Sequence, residues 1–308
     1  MLDEAERRAA AEVLGAAEAA RIPVAPLRET WPGTGADDAY AIQLLNVARR
    51  RERGARVVGH KVGLSSEVMQ RMMGVDEPDY GHLLDDMALA DGSRVPADAY
   101  CAPRVEVEVG FLLGADLPGS GCTAADVLGA TSALVPAIEL IDSRVRDWDI
   151  GIADTIADNA SSAGFVLGAA RVPPGEVDRR AIDAALYAGD GRRVLARGRS
   201  DAVLGDPANA VAWLARTVSR YGVRLRAGHV VLPGSCTRAV DVVAGERYVA
   251  EFGDGLGSVS LAFEATGTSS QRRGAGAEPL GRRRPVPGPR PGRSQGTDAI
   301  RELRTHEK

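Results

Sequence analysis

Glu106 and Glu108 stand two apart in Arg104-Val105-Glu106-Val107-Glu108-Val109-Gly110-Phe111-Leu112-Leu113. Valines there alternate with polar residues before an apolar run, which is the period-two pattern of a strand. Residues two apart on a strand project from the same face. The two carboxylates therefore repel, and each raises the other's cost of ionising. A hard divalent cation removes that penalty, because Mg²⁺ and Mn²⁺ favour carboxylate oxygens. A strand whose solvent face simply carries two acids would read the same way. Glu139 tips the reading toward a cation. It interrupts Leu134-Val135-Pro136-Ala137-Ile138-Glu139-Leu140-Ile141, an apolar run of strand length in which an unpartnered charge is costly to bury. Three acids around one ion would explain both oddities.

A cationic side chain of interest is Lys61, in Val57-Val58-Gly59-His60-Lys61-Val62-Gly63-Leu64, which reads as a short strand ending on glycine. Its flanking glycines let a backbone or a ligand approach closely. A lysine so placed can pair with an anionic substrate or exchange a proton, or it can simply end a strand at the surface. His60 alternates to the other face and reads as structural, as do His82 and His229. Asp79 lies in the turn-rich Gly74–Gly81 stretch, where capping a turn is the ordinary role. Asp154 through Ser162 is dense in short polar groups, available to a substrate carboxylate or to the loop itself. Leu232-Pro233-Gly234-Ser235-Cys236-Thr237-Arg238 is a glycine turn with hydroxyls that could form an anion nest. No G-x-G-x-x-G, P-loop, G-x-S-x-G or H-E-x-x-H motif occurs in a supporting context, and Cys236 lacks a His–Asn arrangement.

The elements that must position these residues follow from patterning. Residues 3–21 are rich in Ala, Glu and Arg at helical spacing, and Pro23 and Pro26 lie just beyond. Asp37 or Asp38 would cap a second helix over 38–52, and a third is expected over 65–73. From about residue 83 short apolar runs separated by Gly, Pro and Asp predict strands over 105–113, 135–142, 164–168, 194–198, 229–232, 239–243, 247–252 and 257–263. Helices are expected over 123–132 and 206–222, the latter with Asp206-Pro207 at its start. The fold class is α+β: a mixed, largely antiparallel β core with an α-rich N-terminal region. The expected organisation is 1–82 α-rich, 83–264 the β-rich metal-binding core, and 265–308 a disordered Arg/Pro/Gly-rich tail.

The 308-residue chain has a formal net charge of −4. Residues 271–308 hold ten Lys/Arg against four acids, so the tail carries +6 and the remainder −10. An acidic body argues against nucleic acid as a partner. The absence of an apolar run of about 18 residues argues against a membrane span. Three cysteines without C-x-x-C spacing, and an acidic N-terminus, predict free thiols and a cytoplasmic protein.

These blocks, in order and at matching spacing from about residue 2 to 263, resemble the 2-keto-4-pentenoate hydratase family of the fumarylacetoacetate hydrolase superfamily. The matching stretches are Gly59–Leu64, Gly74–Gly81, Pro103–Glu108, Pro136–Arg144, Asp154–Ser162, Gly198-Arg199, Leu204–Pro207 and Val211–Ala215. The resemblance implies a β core rolled around Mg²⁺ or Mn²⁺ on Glu106, Glu108 and Glu139, with no organic cofactor. It also implies Lys61 and Asp79 as catalytic residues and Ser161 on the substrate side. Ser235 and Thr237 join Ser161 as substrate-binding candidates from the glycine turn. The implied reaction is addition of water to a 2-hydroxy-2,4-dienoate, giving a 4-hydroxy-2-oxo acid in meta-cleavage aromatic catabolism. The implied assembly is a homo-oligomer, with a downstream pathway enzyme as a possible partner. A 2-oxo-3-hexenedioate decarboxylase and a non-catalytic partner of a pathway enzyme are the alternatives.

Overall fold

The valine-rich strand that carries Glu106 and Glu108 is the centre of the larger of two sheets. The computed structural model describes residues 1–66, 69–71, 74–189 and 193–265. Strands β1 (Val57–Gly63), β2 (Asp79–Leu84), β3 (Ala88–Leu89), β5 (Arg104–Leu113), β6 (Thr131–Ile141), β7 (Ser162–Leu167) and β10 (Val230–Leu232) run in the order β2-β1-β10-β5-β6-β7-β3, with β11 (Val240–Asp241) also on β5. β1 pairs with β10, and β3 with β7, in parallel; the other pairings are antiparallel. The smaller sheet orders β4 (Arg94–Pro96), β13 (Gly257–Glu264), β12 (Arg247–Phe252), β8 (Asp183–Ala188) and β9 (Arg193–Arg199). It packs on β6 through β12 and β13. The mixed, largely antiparallel core is as expected.

The larger sheet is strongly curled. β2 and β7 are five places apart in strand order, about 24 Å in a flat sheet at about 4.8 Å per spacing. They nevertheless touch. Curling turns one face of β1, β5 and β6 inward, and the candidate residues lie on that face.

Helices α1 (Glu4–Ala20) and α3 (Ala36–Glu52), with the single turn α2 (Leu27–Thr30) between them, cover one side. α1 opens on a capping box from Asp3 and Glu6. Gly35, not Asp37 or Asp38, is the N-cap of α3. Asp38 is instead buried and accepts hydrogen bonds from the Leu2 amide and the Arg7 guanidinium, tying the chain start to α3. α4 (Ala124–Ala130), α5 (Ile152–Ala157) and α6 (Pro207–Ser219) follow along the chain. α6 starts as expected, with the Asp206 carboxylate accepting from the Ala208 amide and Pro207 in the first turn. Among the described residues no helix is long and apolar enough to cross a membrane.

The structure differs from the sequence-based reading in further places. The short strand expected over Val57–Leu64 is β1, and with β2, which was not foreseen, it belongs to the larger sheet rather than to a separate α-rich region reaching residue 82. Asp79 opens β2, paired with Gly63, rather than lying in a loop. β8 was not foreseen, since Asp183–Ala188 is alanine-rich and alanine is a poor strand signal. Part of the helix expected over 65–73, and the 265–308 tail beyond Ala265, lie outside the described residues.

One connection is held under strain. Asn159, Ala160 and Ser161 take φ values of 56°, 49° and 56°, a left-handed run that non-glycine residues avoid. Buried Arg144 clamps it from one side: Nε donates to Asp158 Oδ1 at 2.6 Å, the backbone N–H to Asp158 Oδ2 at 2.9 Å, and Nη1 to the Asp142 carbonyl at 2.7 Å. From the other side the Asn159 amide exchanges two hydrogen bonds with the His82 backbone. Gly81 is required there, because a Cβ would stand 2.3 Å from the Asn159 carbonyl oxygen. Arg144→Met leaves Asp158 buried without its cation. Unfolding in urea should show a loss of about 3–5 kcal/mol, and a change below about 1 kcal/mol would mean that the ion pair does not hold the turn.

Candidate metal centre

β5 and β6 pair in antiparallel register with Glu106 directly opposite Glu139 and Glu108 opposite Ala137. Glu108 is two residues along β5 from Glu106, so all three acids share one face. Each offers an oxygen, and these atoms lie within 4.8 Å of one another. Glu108 and Glu139 are completely buried and Glu106 is half-buried. Glu108 Oε2 accepts the Gly234 N–H at 2.7 Å, while Glu108 Oε1 and both Glu139 oxygens have no hydrogen-bond partner. Buried carboxylate oxygens that lack hydrogen bonds, in an all-oxygen donor set, fit a hard divalent ion.

Lys61 reaches this cluster from β1 across the curled sheet. Its Nζ lies 3.3 Å from Glu139 Oε2 and donates to the Ala160 carbonyl at 2.9 Å. That carbonyl belongs to the strained turn, which explains what the strain achieves: it presents a main-chain acceptor to the lysine. Burial alone would favour the neutral amine, but Glu139, Glu106, Asp79 and Glu108 outweigh it and hold the ammonium above its usual value. The carboxyls are raised as well, which for an acid favours the neutral form. Burial pushes all three above the ordinary range, Lys61 opposes the shift, and for Glu108 the charges of Glu139 and Glu106 push further.

Asp79 is also buried. Its Oδ2 accepts from the Thr155 hydroxyl at 3.0 Å, and its Oδ1 has no hydrogen-bond partner. Burial raises its pKa against the pull of Lys61. Gly63 makes room for it, since a Cβ there would meet Asp79 Oδ1 at 2.1 Å. Ser161 lies on the strained turn with a buried, unpartnered hydroxyl. The neighbouring Ser162 was not singled out by sequence. Its hydroxyl approaches Glu139 and favours the charged carboxylate, short of hydrogen-bond geometry. The run of short polar residues gave no reason to prefer one serine over the other.

Ser235 and Thr237 are engaged within their own loop. Ser235 Oγ accepts the Val107 amide and Thr237 Oγ1 donates to the Arg238 carbonyl. The loop's open N–H at Gly234 is directed at Glu108. That residue has φ +124°, and a Cβ would fall 1.8 Å from Ser65 Oγ, so only glycine fits.

The curled mixed sheet with its helical N-terminal region is the fold of the fumarylacetoacetate hydrolase superfamily. A solved 4-oxalocrotonate decarboxylase from Pseudomonas putida G7, complexed with magnesium and adipate, matches with a TM-score of 0.81 at 34% identity, over 85% of this chain and 99% of that one. A 2-keto-4-pentenoate hydratase from Burkholderia vietnamiensis is 47% identical over 263 residues, covering 85% of this chain and 99% of the relative. Another, from Paraburkholderia xenovorans, is 44% identical over 274 residues, covering 88% and 98%. No family model matches the chain. The chain belongs to the 2-keto-4-pentenoate hydratase family and is a hydro-lyase.

Because the carboxyls are raised, they hold protons at a pH where free glutamate is ionised, and a cation must displace them. Mg²⁺ affinity should therefore increase with pH, and calorimetry in buffers of different ionisation enthalpy should register proton release. Glu108→Gln should weaken Mg²⁺ by more than the roughly 10–100-fold typical of losing an outer-shell partner. Unchanged Mg²⁺ affinity in that variant would place the ion elsewhere.

Proposed function

We propose that this chain hydrates a 2-hydroxy-2,4-dienoate, of the size of 2-hydroxypenta-2,4-dienoate, to a 4-hydroxy-2-oxo acid. Glu106, Glu108 and Glu139 would hold Mg²⁺ or Mn²⁺. The observation that carries the reading is the convergence of these three acids, two of them without exposure, beside Lys61. When bound, the ion supplies Lewis acidity to the substrate's carboxylate and C2 oxygen.

The reaction requires protonation at C5, addition of water at C4 and protonation at C3. Lys61 is the cationic group beside the carboxylates, and in this reading it delivers a proton or orients the water. Asp79 is its partner. Thr155 fixes one Asp79 oxygen, and the other, unpartnered, is left to carry the proton. Ser161 offers its buried hydroxyl to the substrate carboxylate. Ser235 and Thr237 act through the loop that aims the Gly234 N–H at Glu108, which holds that carboxylate in place without a second cation. The enzyme would work in the cytoplasm as a homo-oligomer, beside the enzyme that consumes its product.

Freshly generated 2-hydroxypenta-2,4-dienoate, incubated with the Mg²⁺-loaded protein, should lose its dienol absorbance and give a product heavier by one water. Release of CO₂ from 2-oxo-3-hexenedioate with no hydration of the dienoate would assign the decarboxylase reaction instead. Lys61→Met should lower kcat by about 10²–10⁴ while Mg²⁺ still binds. Full turnover in that variant would remove Lys61 from the mechanism.

A further inference from the structure

Lys61 and its neighbour His60 point to opposite faces of β1, and the face behind the metal centre is lined very differently. A cavity of about 490 Å³ opens there, within the range of small-molecule sites. His60, His82 and His229 meet in it, with ring centroids 4.8 Å apart for His60–His82 and 5.8 Å for His60–His229. Four arginines, Arg51, Arg56, Arg224 and Arg226, share the lining, and no aspartate or glutamate does. Arg56 is tied to Asp85. Among the described residues the side chains of Arg51, Arg224 and Arg226 make no ion pair. Leu44, Val47 and Val57 supply apolar wall.

The histidines carry the second observation. His60 is completely buried, and neither ring nitrogen has a hydrogen-bond partner, an expensive arrangement unless something fills it. The tautomers of the other two follow from their neighbours. Gln43 Nε2 donates to the Tyr80 and Ile156 carbonyls, so Gln43 Oε1 faces His82 Nδ1 at 2.9 Å, and that nitrogen bears the proton. His229 Nδ1 accepts the Arg226 amide, so its Nε2 is an N–H donor. Burial, with Arg51 beside His82 and Arg226 beside His229, holds both imidazoles down at about 4. Among the described residues the acid acting on them is Asp116, near His229, whose carboxylate already accepts the Ala227 amide.

We propose that this cavity is a second binding site, for a small organic anion with a doubly charged head and an apolar body. Guanidinium groups and imidazole N–H donors suit the oxygens of a phosphate monoester or a dicarboxylate alike. The apolar wall takes the body. Such a ligand would sit one residue along β1 from Lys61, on the other side of the strand.

The chain has four histidines, three of them in this cavity and the fourth, His306, in the tail. Imidazole nitrogen resonances therefore report on the cavity and not on the carboxylate site. The Mg²⁺-loaded, full-length protein would be titrated with inorganic phosphate, phenyl phosphate and phthalate, followed by NMR and calorimetry. Saturable shifts of the His60 and His229 signals are expected, with phenyl phosphate or phthalate binding at least tenfold more tightly than inorganic phosphate. Preference for phenyl phosphate over phthalate would identify a phosphoryl head, and the reverse a dicarboxylate. Arg51→Ser with Arg226→Ser, both at exposed positions, should weaken binding at least tenfold while leaving Mg²⁺ affinity unchanged. No saturable shift with any of the three probes, or shifts that persist undiminished in the double variant, would overturn the proposal.

Discussion

Four carboxylates and one ammonium share the inside of the curled sheet, and most of the nearby architecture answers the cost of keeping them there. Glu106, Glu108, Glu139 and Asp79 are crowded together, three of them fully buried and Glu106 half-buried, so each resists ionising. One lysine cannot neutralise four acids. The remaining imbalance is what a divalent ion is suited to correct, and a site that is poorly satisfied alone becomes well satisfied when filled. Three glycines serve this arrangement directly: Gly63 leaves space for Asp79, Gly81 for the strained turn, and Gly234 for the loop whose amide reaches Glu108.

The strained turn shows how the cost is distributed through the fold. Three successive left-handed residues would not persist in isolation. They persist here because Arg144, itself buried, satisfies Asp158 and the Asp142 carbonyl together, and because Asn159 is stitched to β2. The stability of a surface-remote ion pair is thereby converted into the position of a single carbonyl oxygen, that of Ala160, on Lys61. Nothing in the local sequence links the clamp to the lysine it serves.

Much of this was legible beforehand, for identifiable reasons. Strand periodicity alone places Glu106 and Glu108 on one face, and a charge in an apolar run marks Glu139 as partnered. The order and spacing of the blocks pointed to the family. What periodicity cannot supply is register between distant strands, so the pairing of Glu106 with Glu139 and the reach of Lys61 over the curl emerged only from the fold. Asp79 was read as a turn residue because Pro78 and Gly81 surround it, whereas pairing with β1 overrides that local signal. Ser162, rather than its neighbour, approaches Glu139 for a similar reason: left-handed backbone before it redirects the side chains, and no sequence pattern announces such a turn. The histidines were read singly as structural, and their meeting required β1, β2 and the segment before β10 to be adjacent.

The alternation of His60 and Lys61 has a common electrostatic origin. β1 separates an interior rich in acids from a cavity lined by arginines, so consecutive residues on one strand meet potentials of opposite sign. A cation is stabilised on the acidic side, where Glu139 and its companions hold Lys61 charged. On the other side a second permanent cation would face Arg51, Arg224 and Arg226 without an acid in the lining. An imidazole meets that demand because it can stay neutral when buried: desolvation first, then its histidine neighbours, hold His60 well below its ordinary value. Neutrality settles the charge but not the hydrogen bonds, since both ring nitrogens are still without partners. The strand is therefore balanced on neither face by protein groups alone: one side has an excess of buried acceptors, and the other an excess of donors and positive charge.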